Sequence, residues 1–186
     1  MPTVNYQVSA SADDGKEVSG TVDTSDTDEV SSGHTDWFAF RFQSIAVPQG
    51  VTIDSATLQI YVHNSSYDDP RVDIHANDVD SATELQAGAT SDISSRALTT
   101  AATDWDDDSI GTGWKSAPDI ASVIQEIVNR EGWSSGNDLM IIFDLQTDVR
   151  IGMRMYDYSG NAHGAKLSIT YTAGQPAMHH YRQRRI

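Results

Sequence analysis

One segment of this 186-residue chain carries a helical pattern, and it limits what the remainder can build. Within residues 116–137, Ile120, Val123, Ile124, Ile127 and Val128 recur at i, i+3, i+4, i+7 and i+8, a single apolar stripe on a helical cylinder. Ser116 and Asp119 fit a capping box, and Pro118 is tolerated in a first turn that lacks N–H partners anyway. Gly132 stands where a left-handed residue closes a helix, with Trp133 free to fold back on the last turn. The spacing therefore predicts a helix over 117–131. A lone helix must bury its stripe on something that is not helical, and the other segments alternate with period two. The expectation is a mainly β fold, a jelly-roll-like antiparallel β-sandwich of about nine strands with this helix packed on it.

The strand signals run in order over 3–10, 17–22, 37–42, 52–63, 71–76, 96–105, 138–145, 150–158 and 165–172. In the 37–42 run, Phe38, Phe40 and Phe42 should face the core, with Trp37, Ala39 and Arg41 nearer solvent. The 138–145 run is the most apolar and reads as a central strand. Residues 23–35 read as a long exposed loop. Its acids Asp23, Asp26, Asp28 and Glu29 lack the DxDxDG spacing of a calcium loop. The 77–115 region is the least regular, with scattered apolar residues and polar connectors. Gly174 and Pro176 punctuate the chain after the last strand, dividing a 1–172 sandwich from a 173–186 tail.

Charge sorts the possible partners. The chain carries 12 basic and 27 acidic residues, a net charge of −15. All 27 acids precede Ala173, so nine basic residues leave the body at −18, while Arg182, Arg184 and Arg185 make the tail +3. A body of that sign repels phosphate backbones, which excludes nucleic acid as a partner. No run approaches the roughly 18 apolar residues of a membrane span, and the first residues have neither the basic nor the apolar region of a secretory signal. There is no cysteine, so disulfides and thiolate metal sites are excluded.

Several short runs together carry a family likeness. They are Pro48-Gln49-Gly50, Ser55-Ala56, Asp78-Val79-Asp80, the Ile93–Arg96 stretch, Trp105, Pro118-Asp119 and Tyr156-Asp157. The most specific are Gln125-Glu126-Ile127-Val128-Asn129-Arg130 and Gly132-Trp133-Ser134-Ser135-Gly136-Asn137, and a last strand follows at Leu167–Tyr171. In this order the chain resembles the jelly-roll modules of exported bacterial surface proteins and phage virion proteins, akin to DNRLRE-type carbohydrate-binding modules. The resemblance covers roughly residues 37–172. It implies a sandwich with one helix, used for binding or as a structural module, with no catalytic residue to carry over. Exported relatives lie in long chains behind signal peptides. Here a tail resembling those of small phage structural proteins follows instead.

Motifs for nucleophilic, zinc-hydrolytic or phosphate-binding chemistry are missing, and the reading is non-enzymatic. Trp105 and Trp114 flank Asp106, Asp107 and Asp108. Indole faces stack on sugar rings, and carboxylates accept sugar hydroxyls or hold Ca2+, so these five residues are the glycan-binding candidates and the three aspartates the calcium candidates. The plainer alternative has both indoles anchoring a loose loop to the core, with the aspartates solvated, and it is the favoured one. In the tail, His179, His180, Tyr181, Arg182, Arg184, Arg185 and Ile186 are assembly-contact candidates, arginine being suited to carboxylates at an interface. The first functional expectation is a virion structural protein, a capsid decoration or tail accessory, in contact with other virion proteins and copies of itself. The alternative is a carbohydrate-binding module that recognises host-surface polysaccharide in an extracellular or cell-surface setting.

Overall fold

The computed structural model describes residues 1–25, 28–31, 36–146, 150–159 and 161–172. Two antiparallel sheets pack face to face. The first has seven strands: β1 (Thr3–Gln7), β13 (Lys166–Thr172), β6 (Thr52–Val62), β12 (Arg150–Arg154) and β4 (Asp28–Ser31) lie side by side in that order. Two short strands join them, β10 (Gly113–Ser116) on β6 and β7 (Asp68–Asp69) on β12. The second sheet has six, in the order β3 (Thr21–Asp23), β2 (Asp14–Val18), β5 (Trp37–Phe42), β11 (Leu139–Leu145), β8 (Arg71–Ala76) and β9 (Thr103–Asp106). Neighbours in a sheet are mostly distant in sequence, as they are when a chain passes between two layers.

Period-two alternation accounts for the main core. Phe38, Phe40 and Phe42 from β5 meet Leu58, Ile60 and Val62 from β6 and Leu167 and Ile169 from β13, all at most 1% exposed. Phe40 and Phe143 pack edge to face with centroids 5.3 Å apart. The helix α1 (Ala121–Val128) lies against β6 and β8. Ile120, Val123, Ile124, Ile127 and Val128, the stripe read from the sequence, are all at most 1% exposed. An eight-residue helix does not persist alone in water. Five buried aliphatics at about 1.5–3 kcal/mol each supply the tertiary contribution that holds it.

Several expectations need correction. The helix is shorter than 117–131 at both ends. Ala117 N donates to Leu58 O at 2.9 Å and Ile120 N to Ala56 O at 3.0 Å, so residues 117–120 still pair with β6 and cannot yet wind. Ser116 ends β10 rather than opening a capping box, and it is Asp119 Oδ1 that accepts from Ala121 N at 2.9 Å. The positive φ falls at Gly136, not Gly132. A glycine at 132 still leaves room for the Asp80 carboxylate, which a Cβ there would push aside. Residues 28–31 are a strand within the stretch expected to be loop, and β7 and β10 add two more short ones. The 96–105 run forms a strand only over Thr103–Asp106, and 17–22 divides into β2 and β3 around a turn at Ser19 and Gly20. The described residues thus hold thirteen strands, several of them short, where about nine were expected.

The irregular region proves to be a cover. Ala82, Leu85 and Ile93 bury themselves on Ala39, Met140 and Ile142, which stand on the outer face of the six-stranded sheet. That makes Ala39 fully buried instead of solvent-facing, and gives β11 two buried faces, as expected of a central strand. Glu17, 2% exposed, fastens the cover: its carboxylate accepts from Ile93 N at 2.8 Å and from Ser94 Oγ at 2.6 Å. Arg41 ties the same end together, pairing with Asp13 and, at 2.5 Å, with Asp138. On the outer face of the seven-stranded sheet the described residues form no second apolar layer of this kind, although the connection from β12 to β13 brings Tyr158 and His163 over Tyr61 of β6.

Candidate functional site

The two tryptophans singled out in the sequence belong to different sheets. Trp105 sits in β9 and is 4% exposed, its ring edge-on to Phe143 at 6.2 Å. It is a core residue and presents no free face to a sugar. Asp106 and Asp108 turn toward Arg71, whose guanidinium lies 3.8 Å from the first and 2.6 Å from the second. The hydrogen bond that Arg71 donates to the Asp108 carboxylate raises the Arg71 pKa further above its already high ordinary value. Asp107 is exposed, and its backbone N–H donates to Pro70 O at 3.1 Å. Asp68 and Asp69 hold the following turn, through Gly111 N and Ser109 N at 2.9 and 2.8 Å. The space that a calcium ion would need between Asp106 and Asp108 is thus taken by Arg71. No group of three or more acidic or histidine side chains among the described residues is arranged to hold a metal. The tail candidates His179, His180, Tyr181, Arg182, Arg184, Arg185 and Ile186 lie outside the described residues.

Trp114 is placed differently. It stands on the outer face of β10, in register with Tyr61 of β6, and the two rings pack edge to face at 5.6 Å. His163, in the connection between β12 and β13, lies over Tyr61 with centroids 3.9 Å apart and touches Tyr158 at 5.3 Å. Lys166, the first residue of β13, places its ammonium 3.7 Å from the Trp114 ring centroid, and Arg154 lies 3.8 Å over Tyr158. Parity explains the convergence. Ile60 and Val62 point into the sandwich, so Gln59, Tyr61 and His63 must point out.

His63 continues that row, and burial without a compensating partner pushes its pKa below the usual histidine value. Its Nε2 and the Nδ1 of His163 are both enclosed and make no hydrogen bond among the described residues. Beside Lys166 the face dips into a groove of about 110 Å3, with walls from Asn5, Thr57, Gln59, Lys166 and Ser168 and a floor at Tyr6 and Leu167. Tyr6 is fixed in that floor by accepting from Ala46 N at 2.6 Å, and its burial holds the phenol pKa above the ordinary value.

Chemically this is a donor-and-acceptor surface with an aromatic end. Amides and hydroxyls line the groove, one ammonium stands at its edge, and no carboxylate is among its lining residues. Cleavage of a glycosidic bond by a pair of carboxylates therefore has no residues here. Tyr61, Tyr158, His163 and Lys166 were not singled out by the sequence. The signal for Tyr61 was its outward parity beside Gln59, whereas His163 and Tyr158 arrive through a connection whose path no local pattern specifies.

No protein-family model matches this chain, and no curated protein does. Among solved structures, a family 35 carbohydrate binding module from Clostridium thermocellum aligns over 90% of this chain and 98% of its own. The identity is 12% and the TM-score 0.33, too low to carry function or ligand across.

Proposed function

We propose that this chain is a non-catalytic glycan-binding module whose binding face is the outer face of the seven-stranded sheet. One contrast carries the reading. Over β5 and β11 the outer face of the six-stranded sheet is capped by Ala82, Leu85 and Ile93, and over β8 and β9 it is acidic, with Asp73, Asp104 and Asp106, while the opposite face offers Trp114 and a groove of amides and hydroxyls. Sugars present hydroxyls and weakly apolar ring faces, which is the complement of that surface. A panel of immobilised polysaccharides, probed with the wild-type chain, Trp114→Ala and Gln59→Ala, tests the assignment. Retention of the wild type and its loss in both variants, with both still folding cooperatively and losing only a few degrees of melting temperature at most, is the expected result. Retention that survives both substitutions would place the site elsewhere.

A second reading rests on the reversal of charge sign between residues 1–172 and the 173–186 tail. In it the chain is a virion structural module whose tail docks on acidic surfaces of neighbouring virion proteins or of its own copies. Each exposed ion pair is worth only about 0.2–1 kcal/mol, so the three arginines act as a cluster repeated around an assembly. Removing residues 175–186 should leave a folded chain that no longer assembles, and added salt should weaken assembly of the intact one.

A further inference from the structure

The outward side chains of the seven-stranded sheet stand in rows that cross the strands. Gln7, Lys166, Gln59 and Ser116 are successive register partners from β1 through β13 and β6 to β10. Gln59 Nε2 closes that row by donating to Ser116 Oγ at 3.1 Å. Asn5, Ser168 and Thr57 form the next row, and Thr3, Thr170 and Ser55 a third, in which the two threonine hydroxyls lie 2.9 Å apart. On the other side of the first row come Trp114 and Tyr61. The groove is walled by β1, β13 and β6 together, so it runs across the strands and not along one of them. With strands about 4.8 Å apart, the path from β10 to β1 covers roughly 14 Å, several sugar rings end to end.

Resting on the glycan-binding reading, we infer that the ligand is an internal stretch of a linear, neutral polysaccharide lying across the strands. One part of the chain packs beside Trp114, and the far part hydrogen-bonds with Asn5 and Ser168. The groove itself, about 110 Å3, holds about one ring, and it is the outward rows of amides and hydroxyls on either side of it that a longer chain would follow. Neutrality follows from the charges. Lys166 is the one charged residue in the groove wall, its ammonium rests on Trp114, and no carboxylate lies within ion-pair distance of it among the described residues. A polyanion charged on every ring would find only Lys166 in the groove and Arg154 beside the aromatic rings, on a chain of net charge −15.

Titration calorimetry with cello-, xylo- and manno-oligosaccharides, from the monosaccharide to the hexasaccharide, tests this on the wild-type chain, Trp114→Ala, Asn5→Ala and Ser168→Ala. In one of the series affinity should climb about tenfold or more between disaccharide and tetrasaccharide and then level off. Trp114→Ala should weaken every length. Asn5→Ala and Ser168→Ala should weaken the longer oligosaccharides severalfold and leave the disaccharide unchanged, with these two melting as the wild type does and Trp114→Ala still folding cooperatively. Affinity that stays flat with length would overturn the cross-strand chain while leaving a glycan site in place. Tighter binding of oligogalacturonates than of any neutral series would overturn the neutral ligand. Binding of no oligosaccharide or polysaccharide by the wild type would remove the glycan reading itself.

Discussion

Lys166 Nζ rests 3.7 Å from the centre of the Trp114 ring, and the two residues reach each other across β6 from strands that flank it. The contact joins the groove to the aromatic cluster and holds both side chains in one arrangement. Cation–π contacts at partly exposed sites are worth about 0.5–1 kcal/mol. A double-mutant cycle of Lys166→Ala and Trp114→Ala, read by chemical denaturation, should return a coupling energy in that range. Coupling indistinguishable from zero would mean that the ammonium does not dwell on the ring in solution.

Gly132 and Asp80 offer a second check on close approach. A methyl group at 132 would collide with the Asp80 carboxylate, which is 2.8 Å from Arg130 Nε. Gly132→Ala should therefore swing Asp80 away and lose the pair, costing about 1 kcal/mol, because the pair is half-exposed. In an Asp80→Ala background the same substitution no longer meets the carboxylate. It should be neutral or stabilise by a few tenths of a kcal/mol through reduced freedom of the unfolded chain. A penalty of equal size in both backgrounds would place the strain in the backbone and not in Asp80.

The sandwich was legible in the sequence wherever a residue's partner is set by period alone. Phe38, Phe40 and Phe42, or Leu167 and Ile169, declare their face by alternation, and Ile120 to Val128 declare theirs by helical spacing. What alternation cannot announce is burial from outside the sheet. Ala39 and Met140 fall on the parity that solvent would own, and they are buried only because the 77–100 segment folds over them. The candidate site was half legible for the same reason. Trp114 was singled out because it is a tryptophan near acids, yet its working neighbours are Tyr61 and Lys166, brought together by strand register between distant segments. Trp105 carried the same local signal and lies in the core, since burial depends on which sheet an edge strand joins.

The helix supplies a quantitative test of the architecture. Ile124 is fully buried in the main core under α1, and truncating a buried aliphatic leaves a cavity as well as losing transfer energy. Ile124→Ala should cost about 2–5 kcal/mol in chemical denaturation. A loss below about 0.5 kcal/mol, the usual range for surface substitutions, would mean that α1 is not seated on the sandwich.

Acid should loosen the outer face through His63. Burial lowers its pKa in the folded chain, so folding disfavours the charged ring. The sign follows from linkage: with a folded pKa below the unfolded one, the unfolded chain takes up the proton first as pH falls. The neutral-ring contribution is fully present above about pH 6.5, the ordinary histidine value, and is lost as pH drops toward the lowered folded pKa. The ring is only half-buried, so solvent screens the effect to a few tenths of a kcal/mol per pH unit, well below the roughly 1.4 kcal/mol limit for one proton. Denaturation of the wild type and of His63→Gln at pH 7.5 and 5.5 should show the wild type losing more stability on acidification, by about that amount. Parallel losses in the two proteins would show that His63 titrates alike in the folded and unfolded chain, and that its enclosed Nε2 carries no penalty on protonation.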